Sequence, residues 1–259
     1  MFGKLLKHEW QGSRRIVGWL CAIIAVSGLL TGGSLRYIAW SAANGNEAMV
    51  AVYSAVLTTS LIAIVGSCVL ALYLLVYRFY KSRFTDEGYL MLTLPVTTHQ
   101  QLLASIANTT IGVLLVGLTA LLSFTVAVWA FMSIFDPSTA EELWWVVAAE
   151  LEVMAESMDL TAAGTVFLLP LIVIVYLADV ILLMLAMTVA SQTSKHPVWK
   201  GAVVYILTDK LVSEACVLIG NMLDDKGLVA AIACVIYGVL AVVAYLIMHH
   251  IMEKRLNLI

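Results

Sequence analysis

The chain has 259 residues, of which 62% are hydrophobic and only 12% charged, against about 25% charged and 45–50% apolar in a soluble domain. With a mean hydropathy of +0.99, this composition excludes a water-soluble globular enzyme. Fourteen basic and 17 acidic residues leave a net charge of -3, a balance that does not suit a nucleic-acid partner. The four cysteines, Cys21, Cys68, Cys216 and Cys234, lie in apolar runs without a repeated spacing. They read as small packing residues, not as a disulfide framework or a zinc site.

Residues 1–15 predict an amphipathic helix. On a 100° wheel Phe2, Leu5, Leu6 and Trp10 share one arc and Lys4, Lys7, Arg14 and Arg15 the opposite one, with Glu9 as a blemish on the apolar side. A basic amphipathic helix of this kind lies in the headgroup layer; an ordinary basic flank to a span is the plainer alternative. A crossing helix needs about 20 apolar residues, because the hydrocarbon is about 30 Å thick and each residue rises about 1.5 Å. Six stretches qualify: about 16–37, 53–77, 102–133, 162–191, 201–223 and 228–250. The first apolar run is too long for a cleaved signal peptide. The fifth is the weakest, because Asp209, Lys210 and Glu214 lie within it at about 2.5–3.5 kcal/mol each on the insertion scale.

Basic residues set the orientation. With the N-terminus inside, the inner segments hold Lys4, Lys7, Arg14, Arg15, Arg78, Lys81, Arg83, Lys195, Lys200, Lys254 and Arg255, and the outer ones only Arg36 and Lys226. That asymmetry predicts both termini in the cytoplasm, and six spans rather than five preserve it. The expected fold is therefore an all-α polytopic membrane protein, one transmembrane domain over residues 1–259.

Two connecting segments have structure of their own. In residues 79–100, Thr85 can cap a short helix with Asp86 and Glu87 in its first turn, where the helix dipole favours carboxylates. Gly88 follows, then Tyr89, Leu90, Met91 and Leu92 give an apolar side, and Pro95 ends it. Thr97-x-x-Gln100 and Thr98-x-x-Gln101 are overlapping capping boxes for the third span. A capped, half-apolar cytoplasmic helix is unnecessary for spanning; it suits docking of a soluble partner, or re-entry into the interface. On the other side, residues 136–159 are acidic and open with the capping box Ser138-x-x-Glu141. Leu143, Val147, Leu151, Met154 and Met158 then recur at helical spacing, as in a surface helix.

Catalytic signatures do not emerge. The chain has no phosphate-binding G-x-x-x-x-G-K-[ST], no H-E-x-x-H and no G-x-S-x-G, so no catalytic or metal residue is assigned. Gly28-x-x-x-Gly32 permits close helix packing. The intramembrane polar residues carry more information. On the fifth span Asp209, Lys210, Ser213, Glu214 and Asn221 fall within an arc of about 140°, opposite Leu207, Leu211, Leu218 and Met222. Asp179 on the fourth span and Lys210 lie at similar depth, about 15 Å in, which predicts an ion pair. Such residues line a path or the seam with a second subunit, or they only fix helix packing.

The layout of an inner amphipathic helix, six spans and two inner termini resembles the permease subunits of bacterial type-2 ABC exporters. The wording of residues 79–103, FYKSRFTDEGYLMLTLPVTTHQQLL, is similar to the first cytoplasmic loop of one branch of that family. The resemblance implies that residues 1–15 are the elbow helix. It implies too that Thr85, Asp86, Glu87, Gly88, Tyr89, Leu90 and Met91 form the coupling helix that meets a separate nucleotide-binding ATPase. ATP and Mg would then sit on that partner, with no cofactor in this chain. A second permease, identical or related, would complete the exporter in a bacterial inner membrane. Only residues 224–227 separate the last two spans, which leaves little room for the re-entrant helices that the family often places there. An ion-coupled secondary transporter using Asp179, Lys210 and Glu214 is the alternative function, and an intramembrane enzyme a third.

Overall fold

A computed structural model of the chain describes residues 2–84, 97–133, 145, 149, 162–192, 197–222 and 226–255. Among them the ordered elements are helices: α1 (Phe2–Ala43), α2 (Glu47–Phe84), α3 (Thr98–Met132), α4 (Ala162–Ser191), α5 (Pro197–Met222) and α6 (Lys226–Arg255). No strand occurs among the described residues. Five of these helices are long and apolar enough to cross a membrane: α1, α2, α3, Ile172–Ser191 of α4 and Ala231–Glu253 of α6. Over its described residues the chain is all-helical, with the long apolar helices of a membrane-embedded protein. The exception is α5, where Asp209, Lys210 and Glu214 interrupt the apolar run.

The helix ends follow local chemistry. Gly45 adopts φ +66°, its N–H donates to the Ala42 carbonyl at 3.1 Å, and the Asn46 N–H donates to the Ser41 carbonyl at 3.0 Å. This pair of bonds closes α1 with a left-handed glycine and turns the chain directly into α2. Pro197 opens α5 at the first helical position, where its missing N–H costs nothing.

The amphipathic segment 1–15 and the first span were expected as separate helices. They form one: α1 runs unbroken for 42 residues. Its buried positions, Leu5, Glu9, Ser13, Val17, Leu20, Ile24, Ser27, Thr31 and Ser34, keep a single helical phase across the expected joint. No proline or glycine pair stands there to break it, and the Ser13 hydroxyl donates to the Glu9 carbonyl within the helix. The stretches 85–91 and 136–159 lie outside the described residues, save that Trp145 and Ala149 are helical.

The chain divides into two compact units. One comprises His8–Leu75 and Ile111–Glu150. Its core is Val17, Leu20 and Ile24 of α1, Ala71 and Leu75 of α2, and Val116 of α3. Here α1 and α3 approach closely at Gly28, where an added Cβ would fall inside the Ser123 side chain, 2.7 Å from its Oγ and 3.0 Å from its Cα. The Ser123 hydroxyl donates to the Ile24 carbonyl at 3.2 Å. A Cβ on Gly32, one turn on, would meet Ala130 at 3.1 Å. The glycine spacing thus serves packing.

The other unit comprises Met1–Lys7, Val76–Thr110 and Leu151–Ile259. Phe79 of α2, Leu102 and Ile106 of α3, Val180 and Met184 of α4, and Met248 and Met252 of α6 form its core. Within it α4 packs along both α5 and α6, and Gly201 of α5 lies directly against Met187 of α4. The Tyr176 hydroxyl of α4 donates to the Thr110 carbonyl of α3 at 2.9 Å.

Candidate functional site

Two groups of polar residues stand out, both in the unit that contains α4, α5 and α6. The first brackets residues 85–96. Arg83, in the last turn of α2, is 3% exposed. Its Nη1 donates to Gln101 Oε1 at 2.6 Å, and its Nη2 donates to the Gln101 carbonyl at 3.1 Å and to Ser105 Oγ at 2.9 Å. The planar guanidinium suits this fork of oxygens, which an ammonium could not match. Gln101 and Ser105 are themselves buried on α3, so the end of α2 is bolted to the start of α3 across the intervening segment. Phe79 and Phe84 pack edge to face beside it, with ring centroids 6.0 Å apart.

The capping boxes expected at the start of α3 are realised in part. The Gln100 N–H donates to Thr97 Oγ1 at 3.4 Å, a long cap bond. The Gln101 side-chain oxygen serves Arg83. Next to it His99 makes a contact that the sequence concealed. Its Nδ1 shares a hydrogen bond with the Tyr245 hydroxyl, and its ring lies 4.4 Å, centroid to centroid, from that of His249. His249 Nε2 in turn lies 3.6 Å from Glu253 Oε1. Tyr245, His249 and Glu253 are spaced by four, one row on α6 facing one histidine of α3.

The second group lies among α4, α5 and α6. Asp179 is half-buried on α4, between the buried Ala178 and Val180. One of its carboxylate oxygens, Oδ1, is buried and accepts no hydrogen bond among the described residues. Its electrostatic neighbours are Asp209 and Tyr205 of α5 and Tyr237 of α6. The expected ion pair between Asp179 and Lys210 is not formed among the described residues: Lys210 is exposed while Asp209 is the half-buried one. Adjacent residues on a helix diverge by about 100°, so the helix that turns Asp209 inward turns Lys210 outward.

The expected polar arc of α5 is split for the same reason. Tyr205, Asp209, Ser213 and Cys216 are half-buried, whereas Lys210 and Glu214 are exposed together with Leu207, Leu211 and Leu218. Ser213 donates to the Lys210 carbonyl of its own helix at 3.0 Å, which satisfies it locally. Asn221 belongs to the last turn of α5, and its side chain is outside the described residues. Thr85, Asp86, Glu87, Gly88, Tyr89, Leu90 and Met91 lie outside them too.

Arg83 and Gln101 were legible only as a basic flank and a capping residue, and a buried guanidinium leaves no mark in sequence. Tyr205 could have been found, because it stands four residues before Asp209 and so shares its face. Among the described residues no three His, Cys, Asp or Glu side chains are grouped to hold a metal. The sequence matches no protein-family model, no curated protein and no solved structure.

Proposed function

We propose that the chain is the membrane-spanning permease subunit of an ATP-driven ABC exporter. It works in a bacterial inner membrane with both termini in the cytoplasm, beside a separate nucleotide-binding ATPase and a second permease. The observation that carries this proposal is the Arg83 bolt. A segment that passes force from a soluble partner into spanning helices needs both of its roots fixed to each other. The described residues on either side of 85–96 have that arrangement, with α2 and α3 joined through the buried Arg83 guanidinium and its bonds to Gln101 and Ser105. The sequence of 85–96 predicts a capped, half-apolar helix with Asp86 and Glu87 at its start. ATP and Mg belong to the partner in this scheme; the permease contributes the path and the contact surface.

The test uses affinity-tagged chain purified from its native host. The wild type should bring with it a protein carrying a phosphate-binding loop, and Asp86→Lys combined with Glu87→Lys should lose that protein while remaining in the membrane. Recovery of the ATPase in undiminished amount with the double variant would remove the loop from the interface. Its absence from the wild type would remove the exporter assignment.

One observation favours a second function, ion-coupled transport. The Asp179 carboxylate has a buried oxygen without a partner among the described residues, with Asp209 as its electrostatic neighbour, and intramembrane carboxylates are the usual sites of proton or cation uptake. The purified chain alone in liposomes would then dissipate a pH gradient, with no ATPase and no ATP.

A further inference from the structure

The outer half of α5 holds a combination that a lipid-facing helix does not tolerate. Leu211 is 67% exposed and Leu218 65%, as expected of a surface in hydrocarbon. Lys210 and Glu214 are exposed on the same surface. On a 100° wheel the exposed positions run from Ile206 round to Met222, and Lys210 and Glu214 fall near the middle of that arc, not at its margin. Apolar neighbours flank them on both sides, and they lie about halfway along the 26-residue helix. No ion pair joins them to each other or to another charge among the described residues. Opposite charges four apart that stay separate are available to a partner.

We infer that this face of α5 is covered by the same face of a second copy of the chain, with Lys210 of each copy meeting Glu214 of the other. The charges themselves argue for a second copy over a foreign partner. Two identical chains inserted in the same orientation are related by a two-fold axis along the membrane normal, which brings the two α5 helices together in parallel. Residues four apart are offset by about 6 Å along the axis. Helices packed about 8–10 Å apart leave a gap that the Lys and Glu side chains span crosswise. The resulting ring of two cations and two anions is neutral, and each lysine has a carboxylate beside it. A foreign partner would have to bring its own Glu and Lys at matching heights; symmetry supplies them here. Asp209 takes no part, because it faces inward toward α4. The inference goes further than the proposed function by making the second permease identical and by naming the seam; association with an ATPase is read separately, so either can fail alone.

Cross-linking of the full-length chain in native membranes tests it, in a background where Cys21, Cys68, Cys216 and Cys234 are alanine. Val203→Cys, Leu207→Cys and Val217→Cys, all exposed and within about 40° of the centre of the Lys210–Glu214 face, should each form a disulfide-linked dimer on mild oxidation, whereas Ser213→Cys, about 80° from that centre, should not. In the Leu207→Cys chain, Lys210→Glu or Glu214→Lys alone should lower the cross-linked fraction by about tenfold, since each creates a ring of four like charges. The two reversals combined should restore it to within about twofold of the parent. Absence of cross-links at all three apolar positions would overturn the inference even if both reversals failed to insert. So would a doubly reversed chain no better than either single one.

Discussion

In the unit built on His8–Leu75 and Ile111–Glu150 the buried polar residues, Glu9 apart, are serines and threonines; in the other they include a guanidinium, two carboxamides and a half-buried carboxylate. The hydroxyls of the first are silenced mainly within their own helix. Thr31 donates to the Ser27 carbonyl at 2.8 Å and Ser34 to that of Thr31 at 2.9 Å. Most such groups ask little of a neighbouring helix, the bond from Ser123 to the Ile24 carbonyl and the Thr31–Ser60 contact being the exceptions, so α1 and α3 are matched largely by shape, glycine against serine. Arg83, Gln101 and Asp179 cannot be satisfied by one turn of their own helix. They tie particular helices together where a partner is present, and they mark an unsettled place where it is missing. The first unit is held by fit and the second by polar commitments. The residues that an exporter or an ion carrier would use fall in the second.

The sharpest way to break the contrast is to spoil the fit. Gly28→Val puts a branched side chain where even a Cβ collides with Ser123, and the collision reaches backbone. The expected loss is about 2–3 kcal/mol, read as the unfolding midpoint of the purified protein. Gly33→Ala is the control: its added Cβ meets nothing within 4 Å, and the better helix propensity should stabilise by about 0.5–1 kcal/mol. An equal loss in both variants would mean that close approach is not what holds α1 to α3.

Arg83→Met sharpens the other side. It keeps the unbranched apolar stem but takes the guanidinium from Gln101 and Ser105, at an expected cost of about 1–3 kcal/mol. Arg83→Lys should recover little, since one ammonium cannot fill three oxygen positions. Full recovery by lysine would reduce the bolt to a matter of charge. The smallest effect should come from Thr31, whose hydroxyl lies 2.8 Å from that of Ser60 on α2. Thr31→Val should cost about 0.6 kcal/mol, the usual size of an interhelical hydroxyl contact in a membrane. A loss as large as that of Arg83→Met would erase the distinction between the units.

The helices themselves were legible because apolar length is a one-dimensional property. The expected stretch 162–191 coincides with α4, and 102–133 lies within four residues of α3 at either end. Gly28 and Gly32 could be read as packing glycines, although not that Ser123 and Ala130 would face them. The joint expected near residue 15 was inferred from a change in composition, but a helix ends where its hydrogen bonds end, and nothing between Ser13 and Val17 stops them. The Asp179–Lys210 pair failed for a different reason. Depth along two antiparallel helices can be counted from sequence, but rotation about each axis cannot, and a single step from Lys210 to Asp209 reverses which side faces α4. The His99 contact with Tyr245 and His249 joins residues about 150 positions apart, beyond any local pattern.

The unbroken phase of α1 constrains how this chain can vary in length. From Leu5 to Ser34 every buried residue depends on the count of those before it. One inserted residue near Arg14 would turn all that follows by about 100°, carrying Ile24, Gly28 and Thr31 away from their contacts at once. Seven inserted residues would bring them back to within about 20°, though displaced by two turns. Substitution can be tolerated at many exposed positions of this helix, whereas insertion and deletion cannot be confined to one site. Descendants of this chain should therefore change length in the turn at Asn44–Asn46 or in the other connecting segments, and keep the spacing from Leu5 to Ser34 fixed.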